Sequence, residues 1–378
     1  RDGFETHPFL WGEIFMTAEL IGKDAAGRAI YFPDKHIPRP GELLYQKEAA
    51  DTLERLVAEG NEYYYRGEFA EEFCRVSQSA GRNITMKDME RYQARFQTPA
   101  WGTYRGFKIA GSPPSDDGGA TMIEILNLLE LMDLPKWGPP SASPDTLHRM
   151  IQAVNLVRRE SHGHGDPQLY QVDLGRILSK DVAKMRYEML KMDDPKNNAP
   201  VGTQPMGSCH VTVADGQGNV CTILHTSNQL PFSTGRWVKG VNLCAVLASG
   251  VPGWRTQAGI LPNIIFKNDK PFLASGSPSR SLLENILQNA INLMDFGMPI
   301  EKSVELPRFG SSGGATGIGL EADFDPAVKQ AVEKRGVRFE LFNPWNWHMG
   351  SFEGIHFDSA GTMTACGDPR RNSKAEAV

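Results

Sequence analysis

Apolar positions along this chain follow two periods, and the change from one to the other falls near residue 208. Before it, helical spacing dominates. Ala49, Ala50, Leu53 and Leu56 recur every three or four residues and predict a helix over 46–59, stopped by Gly60. The same spacing predicts helices over 68–80, 121–132, 144–160 and 179–190. The second of these four additions is strongly apolar, through Met122, Ile123, Ile125, Leu126, Leu128 and Leu129. Thr85 and Asp88 have the spacing of a capping box, with Asp where Glu is usual. Residues 1–45 carry Pro33, Pro38 and Pro40 and predict no long element. Residues 103–110 predict a strand, followed by a turn-rich loop over 111–119. The stretch 193–207 holds Pro195, Asn197, Asn198, Pro200 and Gly202, lacks periodicity, and predicts an exposed linker.

From residue 208 the pattern turns to strands. Hairpin arms over 209–215 and 220–226 are rich in small and β-branched side chains, and Gly216-Gln217-Gly218-Asn219 after Asp215 is a hairpin signal. Pairing Ala214 with Val220 places Ser208 directly opposite Thr226, with Cβ atoms about 5 Å apart on one face. Asn228 lies one pleat further on, so two hydroxyls and an amide converge at the open end of the hairpin. Strands near 241–247, 263–267 and 272–275 follow, then a helix over 281–296 and two strands near 354–357 and 362–366. Helices mostly before and strands mostly after residue 208 predict an α+β layered fold.

Composition narrows the function without choosing it. The 378 residues are 40% apolar and 22% charged with a net charge of −5, as in a globular protein with a large core. No basic, aromatic-interleaved stripe points to nucleic acid, and no apolar run reaches the roughly 18 residues of a membrane helix. The five cysteines, Cys74, Cys209, Cys221, Cys244 and Cys366, are scattered and form no metal-binding or disulfide pattern. Buried packing is the expectation for most of them.

Ser208-Cys209-His210, Val213-Ala214-Asp215, Gly218-Asn219-Val220 and Thr226-x-Asn228 together resemble the start of the small subunit of γ-glutamyltranspeptidases. Thr103-Tyr104-Arg105-Gly106, Pro113-Pro114 with Gly118-Gly119, Gly165-Asp166-Pro167, Gly276-Ser277-Pro278, Pro307-Arg308-Phe309 and Asp368-Pro369-Arg370-Arg371 fall in the same family order. The resemblance implies an N-terminal-nucleophile hydrolase with a four-layer αββα sandwich. Such a chain cuts itself between Gly207 and Ser208, leaving 1–207 as part of a large subunit and 208–378 as a small one, paired as a heterodimer. Ser208 then stands where the family's nucleophilic Thr does. Its new α-amine, with a reference pKa of about 7.7–8, is the adjacent base. Thr226 matches a second threonine that supports the nucleophile, and Asn228 an amide that holds substrate. The family carries a further stretch ahead of Arg1, so an N-terminally truncated piece is expected here, and the compartment is not legible from it.

The sequence departs from the family pattern at the substrate end. The turn Gly276-Ser277-Pro278-Ser279-Arg280-Ser281 predicts backbone N–H donors for an oxyanion at Ser279 and Arg280, where the family has two glycines. Arg280 is either a carboxylate clamp or an ordinary surface arginine. The stretch Val246-Leu247-Ala248-Ser249-Gly250 holds no acid to grip a glutamyl amine. Ala258-Gly259 stands in place of paired serines, leaving Ser249 and Gly259 as the substrate-end candidates. Cys209 is a rival nucleophile that the hairpin register points away from Thr226. His210 shares the Ser208 face as either a core or a catalytic histidine.

Two further motifs compete with this reading. His162-Gly163-His164-Gly165-Asp166 mimics a metal motif but lacks further ligands. Gly313-Gly314-Ala315-Thr316-Gly317-Ile318-Gly319 mimics a nucleotide loop with no helical pattern after it, and so predicts a surface loop. The expectation is a self-processing amidohydrolase or acyltransferase that needs no cofactor or metal and acts on a small-molecule amide or peptide outside the usual γ-glutamyl donors. A catalytically silent homologue that binds a small molecule, and a metallohydrolase, are the alternatives.

Overall fold

The computed structural model describes residues 1–116, 118–160, 166, 171–191, 198, 208–226, 234–243, 259–311 and 317–377. The chain divides into two compact units, residues 1–97 with 227–246, and 98–226 with 247–378. Each unit therefore draws on both sides of the Gly207–Ser208 bond.

The first unit is built from short helices: α1 (Pro8–Met16), α2 (Ala25–Tyr31), α3 (Lys47–Glu59) and α4 (Glu68–Ser79). Residues 8–31 are largely helical rather than irregular, whereas no α-helix includes Pro33, Pro38 or Pro40. Pro8 occupies the first turn of α1, where its missing N–H costs nothing, and the Asp24 carboxylate caps α2 by accepting from the Ala26 N–H at 2.8 Å. Trp237 packs with Ile14, Ile21, Ile30 and Leu44. It comes so close to Gly27 that a Cβ there would lie 2.7 Å from the indole. Helix α3 ends at Gly60 as its spacing predicts, but Leu53 is exposed rather than core. The predicted capping box at Thr85 and Asp88 is formed.

The second unit holds the large core. Strands β1 (Ala100–Tyr104) and β2 (Phe107–Gly111) replace the single strand expected over 103–110. Arg105 and Gly106 both take positive φ (45° and 83°), which turns the chain back in a tight hairpin matched to strand twist. The elements that follow are α5 (Gly118–Leu129), α6 (Pro144–Glu160), α7 (Lys180–Lys191), β3 (Ser208–Ala214), β4 (Val220–Thr226), β5 (Asn263–Lys267), β6 (Lys270–Gly276) and α8 (Leu282–Phe296). Strands β7 (Phe309–Ser311) and β8 (Ile318–Glu321), helix α9 (Pro326–Glu333), and strands β9 (Phe339–Phe342), β10 (Glu353–Phe357) and β11 (Met363–Cys366) complete the unit. The expected linker 193–207 lies outside the described residues except for Asn198, as do His162, His164 and most of the predicted 241–247 strand.

Six strands form an antiparallel sheet in the order β11-β10-β6-β5-β2-β1. Ile109, Ile265 and Leu273 are paired across it and point into the core shared with Leu126, Ile286 and Leu287 of α5 and α8. The β3–β4 hairpin covers the other face, where Thr222 donates to the Ser275 carbonyl at 3.3 Å. The fold is thus mixed α+β, with helices, sheet and hairpin as successive layers. Strands β7, β8 and β9 make a separate three-stranded sheet.

Buried ion pairs fix the C-terminal turn. Arg308 donates to Asp368 at 2.6 Å and Arg370 to Glu321 at 2.6 Å, all four side chains being almost fully enclosed. Asp368 also accepts from the Phe352 N–H at 2.8 Å. Removing one partner from such a set strands a buried charge. The network therefore pins residues 368–371 and sets where the next side chain, Arg371, can reach.

Candidate active site

Strand β3 begins at Ser208, and its register against β4 is the one the sequence predicts: Ser208 faces Thr226, His210 faces Leu224, and Ala214 faces Val220. Asp215 closes the loop by accepting from the Gln217 and Asn219 N–H groups at 2.9 Å each, which fixes the register from the turn end. Ser208 is 7% exposed, and its Oγ is enclosed without a hydrogen-bond partner among the described residues. An unsatisfied buried hydroxyl is costly in a structural position and useful in a reactive one. Its carbonyl accepts from Arg371 Nη1 at 3.3 Å.

Cys209 lies on the opposite face, across from His225, and is exposed. Cys221 is exposed on that face too, so these two thiols depart from the expected buried packing, whereas Cys74 is buried. The reason is the strand period: odd positions of β3 and β4 point away from the large sheet. His210 points inward. Its Nε2 lies 2.7 Å from Thr222 Oγ and its Nδ1 3.5 Å from Glu353, whose other carboxylate oxygen accepts from Ser351 and Ser373 hydroxyls. The hairpin is tied to β10 by Thr212, whose Oγ donates to the Glu353 carbonyl at 3.4 Å, and the full enclosure of the His210 side chain supports its core reading. Gly276 makes the contact possible, since a Cβ there would sit 2.2 Å from His210 Nε2.

The predicted strand-to-helix turn lies between β6 and α8. Ser279 is buried at φ +100°, a conformation that favours glycine, and its Oγ donates to the His348 carbonyl at 2.7 Å. Arg280 is half-buried, with its Nε enclosed and without a hydrogen-bond partner among the described residues. His348 sits beside both arginines. Burial first, then the charges of Arg280 and Arg371, push its pKa down to about 4, so the ring is neutral at pH 7. Arg371 also lies over the Trp347 ring, 5.3 Å from its centroid. Gly259 takes φ +62°, and the Gly259–Ile260 backbone packs on Gly118, where a Cβ would meet the Ile260 carbonyl oxygen at 2.3 Å. Gly207, Asn228 and Ser249 lie outside the described residues.

Arg371, Trp347, His348 and Glu353 had no assigned role in the sequence reading. Only the Asp368-Pro369-Arg370-Arg371 motif could have drawn attention to the first of them. Among the described residues no cluster of three or more His, Cys, Asp or Glu could hold a metal, and no helix is long and apolar enough to cross a membrane.

The family profile of gamma-glutamyltranspeptidase matches residues 1–378. The chain belongs to the γ-glutamyltranspeptidase family. It is 28% identical over 407 residues to a glutathione hydrolase proenzyme of Bacillus subtilis (strain 168), covering 99% of this chain and 68% of that one. It is also 28% identical over 378 residues to the acylase ACY 1 proenzyme of Pseudomonas sp. (strain SE83), covering 96% and 66%. The chain thus spans about two-thirds of the length of these relatives. A cephalosporin acylase structure from Bacillus halodurans matches the fold with a TM-score of 0.83 at 23% identity, over 98% of this chain and 71% of that one.

Proposed function

We propose that this family member is a self-processing amidohydrolase whose nucleophile is Ser208. The observation that carries the reading is the enclosed Ser208 hydroxyl at the start of β3, directly opposite Thr226 and without a hydrogen-bond partner among the described residues. In the uncut chain, Ser208 Oγ attacks the Gly207 carbonyl and the peptide C–N bond breaks, giving an ester. In that step the Oγ proton passes to the Ser208 nitrogen and the α-amine is freed; water then hydrolyses the ester, releasing the Gly207 carboxylate and the Ser208 hydroxyl. Residues 1–207 then belong to the large subunit and residues 208–378 form the small one.

In turnover the α-amine takes the Oγ proton as Oγ bonds to the substrate carbonyl, and that proton passes to the leaving amine nitrogen. Backbone N–H groups at Ser279 and Arg280 hold the oxyanion, a role their side chains do not block. Water or an amine then takes the acyl group, and Oγ regains a proton. Thr226 supports the nucleophile, while Asn228, Ser249 and Gly259 line the substrate end. The relatives named as glutathione hydrolase and as acylase frame the choice of acyl donor. The absence of an acid at 246–250 and of paired serines at 258–259 favours a donor without the γ-glutamyl α-amine.

The test is an acid quench of the full-length protein during turnover of an amide panel, followed by peptide mass analysis. The acyl mass is expected on the peptide that begins at Ser208, and γ-glutamyl anilide is expected to be a poor donor. Acyl mass on Cys209 would overturn the assignment, as would undiminished turnover by Ser208→Ala.

A further inference from the structure

Helix α8 is buried from Leu282 to Leu293, yet one of its faces carries Asn285, Asn289 and Asn292, four and three positions apart and so stacked along the helix. Amides enclosed in this way must find partners inside the protein, and these find them in single file. Asn292 Nδ2 donates to Ser303 Oγ at 3.0 Å, and Ser303 Oγ to Asn289 Oδ1 at 2.7 Å. Asn289 Nδ2 donates to Asn285 Oδ1 at 2.9 Å, and Asn285 Nδ2 to Ser277 Oγ at 2.8 Å. Ser277 Oγ then donates to the Pro278 carbonyl at 2.8 Å. Ser303 belongs to a short helix, Ile300–Glu305, and Ser277 directly follows β6, so the file joins three elements.

Valence fixes the direction of these links. A backbone carbonyl only accepts, and the Asn289 amide meets the Asn285 carbonyl at 2.9 Å, so the atom there is its nitrogen and its oxygen faces Ser303. The same nitrogen meets the Asn285 side chain, which therefore presents its oxygen to Asn289 and its nitrogen to Ser277. Ser277 Oγ also receives the Ser351 N–H at 3.2 Å. With both lone pairs taken, its one hydrogen is left for the Pro278 carbonyl. Gly350 permits the crowding, since a Cβ there would lie 2.5 Å from Asn285 Nδ2 and 2.8 Å from Ser277 Oγ.

The file ends on the peptide that joins Pro278 to Ser279. That peptide is trans and planar, so holding its carbonyl on Ser277 turns the Ser279 N–H to the opposite side, where no hydrogen bond takes it up among the described residues. A carbonyl that accepts a hydrogen bond draws its amide toward the charge-separated resonance form, which makes the N–H a stronger donor. Every link of the file polarises in that same sense. We propose that Ser277, Asn285, Asn289 and Ser303 are positioning residues that aim and polarise the Ser279 N–H as an oxyanion donor. They touch no reacting atom and act through one peptide group. This rests on Ser208 as the nucleophile with the oxyanion held at Ser279, and it names what tunes that site from within the core.

The test is Ser303→Ala, which cuts the file at a residue whose hydroxyl bonds Asn292 and Asn289 and none of residues 277–281. In the purified full-length protein, ¹³C-carbonyl proline with ¹⁵N-serine makes three Pro–Ser peptides visible by NMR, 114–115, 140–141 and 278–279, and Ser279→Ala identifies the last of them. Ser303→Ala is expected to move the Ser279 nitrogen and the Pro278 carbonyl upfield while the 114–115 signal stays in place. On an amide that the wild type turns over, kcat should fall about five- to ten-fold with KM within about two-fold, a fraction of the loss of about 10²–10³ that deleting an oxyanion donor causes. Ser303→Thr keeps the hydroxyl and should keep both the resonance position and kcat. Ser303→Cys, similar in size but a weak donor, makes the same comparison if melting curves show that the alanine variant does not fold. An unmoved Ser279 signal overturns the proposal, as does an unchanged kcat or a rise in KM alone. Acid quench separates this from the nucleophile assignment. Acyl mass on Ser208 with kcat unchanged in Ser303→Ala removes only the positioning role, and a moved signal with lowered kcat but the acyl group on another residue removes only the nucleophile.

Discussion

Gly276→Ala tests how the β3–β4 hairpin that begins at Ser208 is seated on the large sheet. The added methyl would lie 2.2 Å from His210 Nε2, 2.3 Å from Cδ2 and 2.8 Å from Cε1. Ordinary carbon contacts are about 3.5–4 Å, so the ring must withdraw by about 1 Å or more. It has little room to do so, because the His210 side chain is fully enclosed and hydrogen-bonded to Thr222 at 2.7 Å, with a Glu353 carboxylate oxygen 3.5 Å from its other ring nitrogen. Overpacking of this kind costs about 1–3 kcal/mol, and loss of the Thr222 hydrogen bond adds about 1 kcal/mol. A loss of about 2–4 kcal/mol is expected, read as the shift in urea midpoint at constant slope. His210→Ala alone is also destabilising, through its cavity and the polar groups it leaves unpaired. The double variant is expected to be more stable than the sum of the single effects requires, because the methyl then enters the space the ring left. Additive losses, or a Gly276→Ala protein as stable as wild type, would refute this packing.

Three further outcomes follow from the site and its supports. Ser279→Ala keeps the positive φ and loses the bond to the His348 carbonyl, whereas Ser279→Gly relieves the strain; the glycine variant should be the more stable of the two by about 1 kcal/mol in denaturant melts, and the reverse order would remove the strain argument. His348 titrates near 4 when folded against 6.5 when unfolded, so the folded state binds fewer protons between those values. Its contribution is present above about pH 6.5 and is lost as the pH falls through 4, and His348→Gln should flatten that acid limb of the melting temperature. Asp368→Asn strands Arg308 and weakens the hold on Phe352, with an expected loss of about 3–5 kcal/mol; a urea midpoint within error of wild type would show that the network carries no load.

The sequence was most legible where a local rule fixes the geometry. The 208–226 hairpin follows from a turn that admits few conformations and from strands whose faces differ, so its register could be counted out residue by residue. Helix 144–160 has the predicted bounds, and 263–267 is a strand as expected. Errors arose where local signals were ambiguous. Arg105-Gly106 is a turn that a run of strand formers hides, and Pro8 starts a helix inside a stretch expected to be irregular, while no α-helix includes Pro33, Pro38 or Pro40. The placement of Cys209 and Cys221 outward is a consequence of strand alternation that composition alone does not carry. Arg371 was invisible for a different reason. Its approach to Ser208 depends on the buried Arg308–Asp368 and Arg370–Glu321 pairs, which join residues 49 to 60 positions apart. No spacing rule reaches that far.

The central claim, that Ser208 cuts the chain and then serves as nucleophile, is tested most directly by the intact mass of the purified full-length protein beside Ser208→Ala. The account predicts two fragments in the wild type, the smaller beginning with a free amine at Ser208, and one uncut chain in the variant. A wild-type chain that stays whole, a cut at another bond, or a variant still cut at Gly207 would contradict it.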